Sequence, residues 1–565
     1  MSNFILKTLE TRELKLNTIR LRGFYGGKLR KGSGGGGSGD GFPQLPGDVT
    51  RWHFGGLTNE MMAAMDDPRI EDADHKGRFL SFKNFAWKEG SGISDVYPGF
   101  ILGDGVDDFA VTEKELNFED TYTVYTAFIP FQNNPTRNMI LCGADSKKTF
   151  SMQYSSLVYV SFIAGNNYYI NADFVNGLNL FACKRNGNNI YIKNLLTNKV
   201  VTGTCGDWVE NAGLYYLWKN ATYASFAKAA IAGQTICNGY FSTDEDDEKV
   251  LDWYKKQHPW LFPDQAWTVV GKTNEDEDRA TIANITGNGN NLVLSNFGFA
   301  EGSGYGLYKT PFELYPSVQH SSKYSLSFSK FALGDHNLII APKQNDLSYD
   351  IKVKVTGLKD GVKFKWGWIG TTGYIDITTD GIHMLNKPAS QIRQLIVEFA
   401  EDFDPDHVVT IEQIPEYEGY LVTDGVDDKA VSKQFKFGEN FTVILDFKFP
   451  VKKISYCGFD LSSKVRIQNI QGSGVYVVLK GNKTLIPSNV VRAVTSEGKV
   501  YDENWNEYNI VPGNISSNYT MVNLGFDGSK QFAESATKLA GIYSSTLSKD
   551  DCIKAYNYLQ TLKAK

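Results

Sequence analysis

The pentapeptide DGVDD occurs at residues 104–108 and again at 424–428, and this duplication constrains the fold more than any other feature of the chain. After each copy come an Ala-Val pair (Ala110, Val111; Ala430, Val431), a Thr-Val pair (Thr123, Val124; Thr442, Val443) and a Cys-Gly-x-Asp (Cys142, Gly143, Asp145; Cys457, Gly458, Asp460), in the same order with small changes in spacing. The copies also close alike. Gly239, Tyr240 and Phe241 lead to a polar helix reaching Tyr254, and Gly541, Ile542 and Tyr543 lead to one reaching Tyr556. A second repeated element stands before each module: GLTNE (56–60) and LSFKNFAWKEGSG (80–92) in one copy, GKTNE (271–275) and LVLSNFGFAEGSG (292–304) in the other. The repeat unit is therefore connector plus module, used twice.

Within each module, β-branched and aromatic residues alternate in short runs broken by Asn-Gly and Gly-Asn turns, as in TYTVYTAFIPF (121–131) and NFTVILDFKF (440–449). Many short strands at close spacing predict a two-sheet antiparallel sandwich. Ser548 is placed to cap the last helix, with Asp551 three residues on. The run DEDDE at 244–248 reads as the acidic first turn of the other helix, favourable against its dipole. Between EGSG and DGVDD the copies part: 12 residues separate Gly92 from Asp104, but 120 separate Gly304 from Asp424. The longer segment alternates further strand-like runs with turns, which predicts a third, smaller β-sandwich inserted in the second unit. The expected division is an arm and tether (1–50), a connector (51–99), a first module (100–262), a second connector (263–305), the insert (306–417) and a second module (418–565).

Charge is uneven although the net charge is a modest −6. Residues 1–31 carry Lys7, Arg12, Lys15, Arg20, Arg22, Lys28, Arg30 and Lys31 against Glu10 and Glu13, and the tract GSGGGGSG follows. That is a basic arm on a flexible tether, which spans about 15 Å as a random coil. The alternation in FILKTLETRELKL fits a strand added to a partner, and an unstructured tail is the alternative. No run of about 18 apolar residues is available to cross a membrane, and the whole-chain charge gives no general pull on nucleic acid. The start MSNFILKTLETRELK lacks the apolar core of a secretory signal, so synthesis in a cytoplasm is expected. The six cysteines show no CxxC or Cys-His spacing, and Cys142 and Cys457 read as small buried thiols.

Chemistry is sparse. HExxH, GxSxG and GxxxxGK[ST] do not occur, and the nearest pair of alternating carboxylates, Asp376 and Asp380 in YIDITTD, sits where a turn ends a strand. No enzyme is expected. The acidic repeats (Asp104, Asp107, Asp108; Asp424, Asp427, Asp428) admit two readings: a calcium site completed by Asp145 and Asp460, or a tight turn whose carboxylates cap local N–H groups. No other cofactor is indicated. Aromatic residues are the better lead to a ligand, because sugar rings stack on exposed ring faces. Trp366 and Trp368, two apart on one strand face, and Tyr168 and Tyr169 are the candidates, with Tyr215, Tyr216 and Trp218 nearby in the first module; burial in the core is the alternative for all of them.

The DGVDD turn, the antiparallel runs and the closing Gly-[Tyr/Ile]-[Phe/Tyr] plus helix resemble the laminin-G-like, concanavalin A-like jelly roll over about 100–262 and 418–565. The combination with the TNE…NF…EGSG connector, the basic arm and the glycine tether is similar to virion proteins of phages that infect gut Bacteroidetes, notably the head fibre or capsid-decorating proteins of the crAss-like group. The resemblance implies a particle-surface protein made in the bacterial host. Its N-terminal arm would dock on the major capsid protein or another virion protein, and its modules would form a homodimer or homotrimer that touches host glycans. The alternative is a host-glycan adhesin, either a tail fibre or a cell-surface lectin.

Overall fold

The structure, a computed structural model, describes residues 41–564 apart from 132–138, 145–149, 155–157, 165, 174, 176, 208–210, 220–225, 301, 308–324, 329–337, 341–348, 359–361, 369–374, 388–392, 400–405, 450–456, 463, 471–473, 489, 515–518 and 527–531. The arm residues Lys7 to Lys31 lie outside the described residues, as does Asp145.

The chain divides between Pro259 and Trp260 into two units, each all-β with a closing helix. In the first unit one sheet runs in the order Lys199–Thr204, Asn189–Asn194, Asn179–Asn186, Thr121–Pro130, Ala229–Asn238, Ile101–Leu102, Gly92–Ile93. The facing sheet runs Asn166–Ala172, Val158–Ala164, Phe150–Tyr154, Met139–Ala144, Tyr215–Leu217, Phe109–Thr112, Phe79–Lys83, Arg69–Glu71. Trp52, Tyr122, Val124, Phe128, Phe181 and Tyr215 fill the space between the sheets. The second unit repeats this plan strand for strand around Trp267, Val443, Phe447, Phe459, Val494 and Leu524. The insert adds two four-stranded sheets, Ser325–Phe328, Val409–Gln413, Tyr349–Thr356, Gly381–Lys387 and Leu338–Ile340, Arg393–Phe399, Val362–Trp368, Ile375–Ile377.

The central strand Thr121–Pro130 is buried on both faces, not on alternate residues. Its inner face meets the opposite sheet. Its outer face lies under the helix Asp244–Gln257, as Tyr125 shows by donating its hydroxyl to Asp247 at 2.9 Å. Among the described residues we label the α-helices α1 (Asn59–Ala63), α2 (Asp244–Gln257) and α3 (Lys549–Thr561). Ser548 caps α3 by accepting from Asp551 N at 3.1 Å, and Thr243 with Asp246 forms a full capping box on α2.

Three expectations from the sequence need correction. The connectors 51–99 and 263–305 are not spacers, because their strands belong to the sheets. Asp48–His53 pairs with Ala229–Asn238 and Phe79–Lys83 with Phe109–Thr112, as Gln265–Thr268 pairs with Glu534–Tyr543 and Leu292–Ser295 with Lys429–Val431. Trp52 and Trp267, which these segments contribute, are 0% and 2% exposed, so the cores are incomplete without them. Next, the Gly-aromatic matches at the two closes are out of step by about three residues. The N-caps Thr243 and Ser548 correspond, and α2 buries Asp247, Val250, Trp253 and Tyr254 where α3 buries Cys552, Ala555, Tyr558 and Leu559. Gly239 is a left-handed turn residue after its strand (φ +73°), whereas Gly541 lies inside a strand, where an added Cβ would come within 2.5 Å of Leu559. Finally, Cys142 faces Leu217 across its strand pair, but in the second module Phe459, two residues after Cys457, faces the equivalent Leu524. The register shifts between Cys457 and Phe459, as it does between Ile140 and Cys142, and the sequence pattern did not reveal that irregularity.

Candidate functional site

The repeated motifs converge on one corner of each module, and their side chains bond to the backbone in the same way twice. Asn59 of GLTNE accepts from Ile93 N at 2.7 Å and donates to Ile93 O at 2.8 Å; Asn274 does the same with Tyr305, at 2.7 and 3.3 Å. Asn84 and Asn296, both with positive φ, donate to the carbonyls of Asp107 and Asp427 at 3.0 Å. The EGSG serines accept from Ala86 N (Ser91, 2.8 Å) and Gly298 N (Ser303, 2.7 Å). The last glycine of EGSG has no room for a side chain, since a Cβ on Gly92 or Gly304 would lie 2.4 Å from the Asn59 or Asn274 oxygen.

The acidic turn completes the corner. Asp104 Oδ1 accepts from Val106 N at 2.7 Å and Asp107 N at 3.3 Å, while Asp108 Oδ2 accepts from Asp104 N at 2.9 Å. Asp424, Val426, Asp427 and Asp428 repeat this at 2.8, 3.3 and 2.9 Å. Asp428 Oδ1 also accepts from the Ser303 hydroxyl at 2.9 Å, with Ser91 beside Asp108 in the first copy. Both inner carboxylates are fully buried, and burial pushes each pKa up to about 6, against the opposing pull of these donors.

The three carboxylates of each turn bring one oxygen apiece within 4.8 Å of one another. Calcium takes about six to eight oxygen ligands, and here oxygens of Asp104 and Asp108 already accept N–H groups of the turn itself. Asp460, the expected extra ligand, is engaged elsewhere, with Arg466 at 3.3 Å and Asn523 at 3.1 Å. In both copies these carboxylates act as a capping turn, with oxygens of Asp104, Asp108, Asp424 and Asp428 taken by N–H groups of the turn itself.

The remaining sequence candidates scatter. Trp366 and Trp368 lie on Val362–Trp368, paired with Leu395 and Arg393 of the neighbouring strand. Tyr168 and Tyr169 are consecutive on Asn166–Ala172, paired with Phe162 and Ser161 of the neighbouring strand. Tyr215 and Trp218 are fully buried core residues and offer no sugar platform. Asp380 accepts from Gly357 N and Leu358 N at 3.1 and 2.7 Å, which is a loop-holding role. Cys183, Cys205, Cys237, Cys457 and Cys552 are buried thiols not joined in disulfides.

The structure also assembles groups that sequence reading missed. In the second unit the GKTNE loop and the inserted sandwich together wall a cleft of about 910 Å³. Glu275 and Phe299 line it from the connector side, Glu412 from the insert, and Glu418 and Lys538 from the module. Among the described residues Glu275, Glu412 and Glu418 have no hydrogen-bond or ion-pair partner for their carboxylates, whereas Lys272 is paired with Asp278 at 2.5 Å. Phe299 is held between the Arg279 guanidinium (5.2 Å) and the Tyr305 ring (6.2 Å).

No family model and no curated protein matches the chain. Solved structures do. The botulinum neurotoxin type G receptor-binding domain is 12% identical, with 68% of this chain and 85% of that chain covered at a TM-score of 0.26. The binding domain of botulinum neurotoxin DC in complex with SialylT is 9% identical over 61% of this chain and 95% of that one, TM-score 0.27. A mutant Trypanosoma rangeli sialidase displaying trans-sialidase activity is 10% identical over 34% of this chain at a TM-score of 0.26, and 31% of its own length is spanned. These likenesses carry no argument about function. Among the described residues no helix is long and apolar enough to cross a membrane.

Proposed function

We propose that the chain is a non-enzymatic virion structural protein, a head fibre or capsid-decorating protein, gripped to the particle by its basic arm and displaying two jelly-roll modules and an inserted sandwich. The observation that carries this reading is the use to which the duplication is put. The Asn, Ser and Asp side chains of TNE, NF, EGSG and DGVDD lock turns by binding backbone N–H and C=O groups, in both copies. A chain that repeats turn-holding chemistry repeats a building part. The arm Lys7 to Lys31 and its glycine tether supply a charged grip distinct from that part. Deleting residues 1–31 is expected to leave a folded body that no longer joins the particle. Recovery of the truncated protein on purified virions at normal copy number would defeat the proposal.

The second reading is attachment to host glycans, whether from a fibre or a cell-surface lectin. The cleft beside Glu275 and Glu412 favours it, because its size falls in the range of about 300–1,000 Å³ usual for small-ligand sites. On a glycan array a purely architectural protein stays silent.

A further inference from the structure

We propose that the cleft between the GKTNE loop and the inserted sandwich binds a saccharide bearing hydroxyl or amine donors and no acid group. This rests on the attachment reading and gives it a site and a ligand class.

The insertion changes what the TNE loop does. In the first module the Thr58-Asn59-Glu60 segment runs straight into α1, and the Glu60 carboxylate is held below its ordinary range by its own backbone N–H and the Thr58 hydroxyl. In the second module that capping task passes to the next residue: Asp276 accepts from Thr273 N and Thr273 Oγ1, both at 2.9 Å. Glu275 is thereby released. It faces a cleft whose other wall, including Glu412, comes from the insert that the first copy lacks.

The lining then selects the ligand. Ionised carboxylates accept hydrogen bonds and donate none, so Glu275, Glu412 and Glu418 call for a ligand rich in donors, such as the paired hydroxyls of a sugar ring. Lys538 is the one lining cation not neutralised by a carboxylate among the described residues, because Lys272 is held by Asp278. Among the described lining residues three carboxylates without an ion-pair partner stand against one ammonium, a balance that disfavours sialic or uronic acids and sulfated sugars. Phe299, fixed between Arg279 and Tyr305, contributes apolar surface to the wall.

The test compares the full-length chain with Glu412→Gln/Glu418→Gln and with the charge reversal Glu275→Lys/Glu412→Lys, on an array of neutral, amino and acidic glycans followed by calorimetry on the best binder. All the substituted side chains are exposed, and an unchanged melting temperature confirms that each variant folds. The expected result is binding of a neutral or amino glycan by the parent, at least about 10-fold weaker in the glutamine variant, with the lysine variant moved toward acidic glycans. If the parent binds a neutral glycan and both variants bind it equally well, the cleft is not the site while the attachment reading stands. Binding of acidic glycans alone by the parent overturns the ligand class. Silence of the parent across the array overturns both the site and the attachment reading.

Discussion

In the first module the buried carboxylate beneath the closing helix belongs to the helix; in the second it belongs to the sheet. Asp247 of α2 accepts from Tyr125 Oη at 2.9 Å, Lys184 Nζ at 2.8 Å and Ser242 Oγ at 3.1 Å. The corresponding position of α3 is Cys552, and the charge has moved to Asp446 of the strand Thr442–Lys448. Asp446 accepts from Tyr420 Oη at 2.9 Å, Tyr556 Oη at 3.1 Å and Gln560 Nε2 at 2.8 Å, with Arg492 beside it. Burial works against ionising Asp446, yet Arg492 and these donors hold its pKa below the usual range.

Two further exchanges have the same form. Gly103 and Trp218 of the first module become Thr423 and Gly525 in the second. A Cβ on Gly103 would lie 2.5 Å from the Trp218 ring, and one on Gly525 would lie 2.8 Å from Thr423, so the bulk has changed sides of one contact. Lys219 sits 4.1 Å from the Phe109 ring in the first module, while Lys429 faces Phe526 in the second, which inverts a cation–π pair. The two modules thus preserve interactions and not residues, which is how a duplicated core diverges without losing its packing.

The largest effect should follow from removing a buried clamp. Asp247→Ala and Asp446→Ala are each expected to cost about 3–5 kcal/mol, because charged or polar donors are left buried without their acceptor. Hydrogen exchange read unit by unit should place each loss in its own module, and equal loss in both units would break the comparison. Next in size is the volume exchange. Trp218→Gly should cost about 3 kcal/mol, since a large core side chain is lost but a left-handed backbone position is relieved. Adding Gly103→Thr should recover part of that loss in a denaturant titration, and strict additivity would show that the two positions do not compensate. The smallest effect concerns pH. Asp108 and Asp428 hold a proton up to about pH 6 in the folded state, above their unfolded value of 3.8. The unfolded chain therefore loses protons first as pH rises, and these groups destabilise the fold increasingly between about pH 4 and 6. Relative to Asp108→Asn/Asp428→Asn, the parent should gain melting temperature as pH falls across that window. A gap constant with pH would sink the assignment.

What was legible in the sequence was short in range. DGVDD and EGSG bond to backbone two to five residues away, so residue type and spacing carried the information, whereas Asn59 and Asn274 of TNE reach Ile93 and Tyr305 and were marked only by their recurrence. The clamps were not legible. Tyr125 and Asp247 are 122 residues apart, and Tyr556 and Asp446 are 110 apart. DEDDE therefore read as a dipole-favouring first turn, although its fourth residue is a buried acceptor, and Asp446 read as one more polar residue in an alternating strand.

The amino-acid order by itself determined that two β modules recur, where their turns fall, how their helices are capped and that an inserted segment lengthens the second copy. Each of these depends on local backbone preference and alternation, which act within a few residues. Tertiary structure alone decided that the connectors complete the sheets, that the closing strands match with a shift the sequence alignment hid, and that the insert and the GKTNE loop enclose a cleft. The reason is range. Pairing, register and enclosure are fixed by packing against partners far along the chain, which preferences acting within a few residues do not encode.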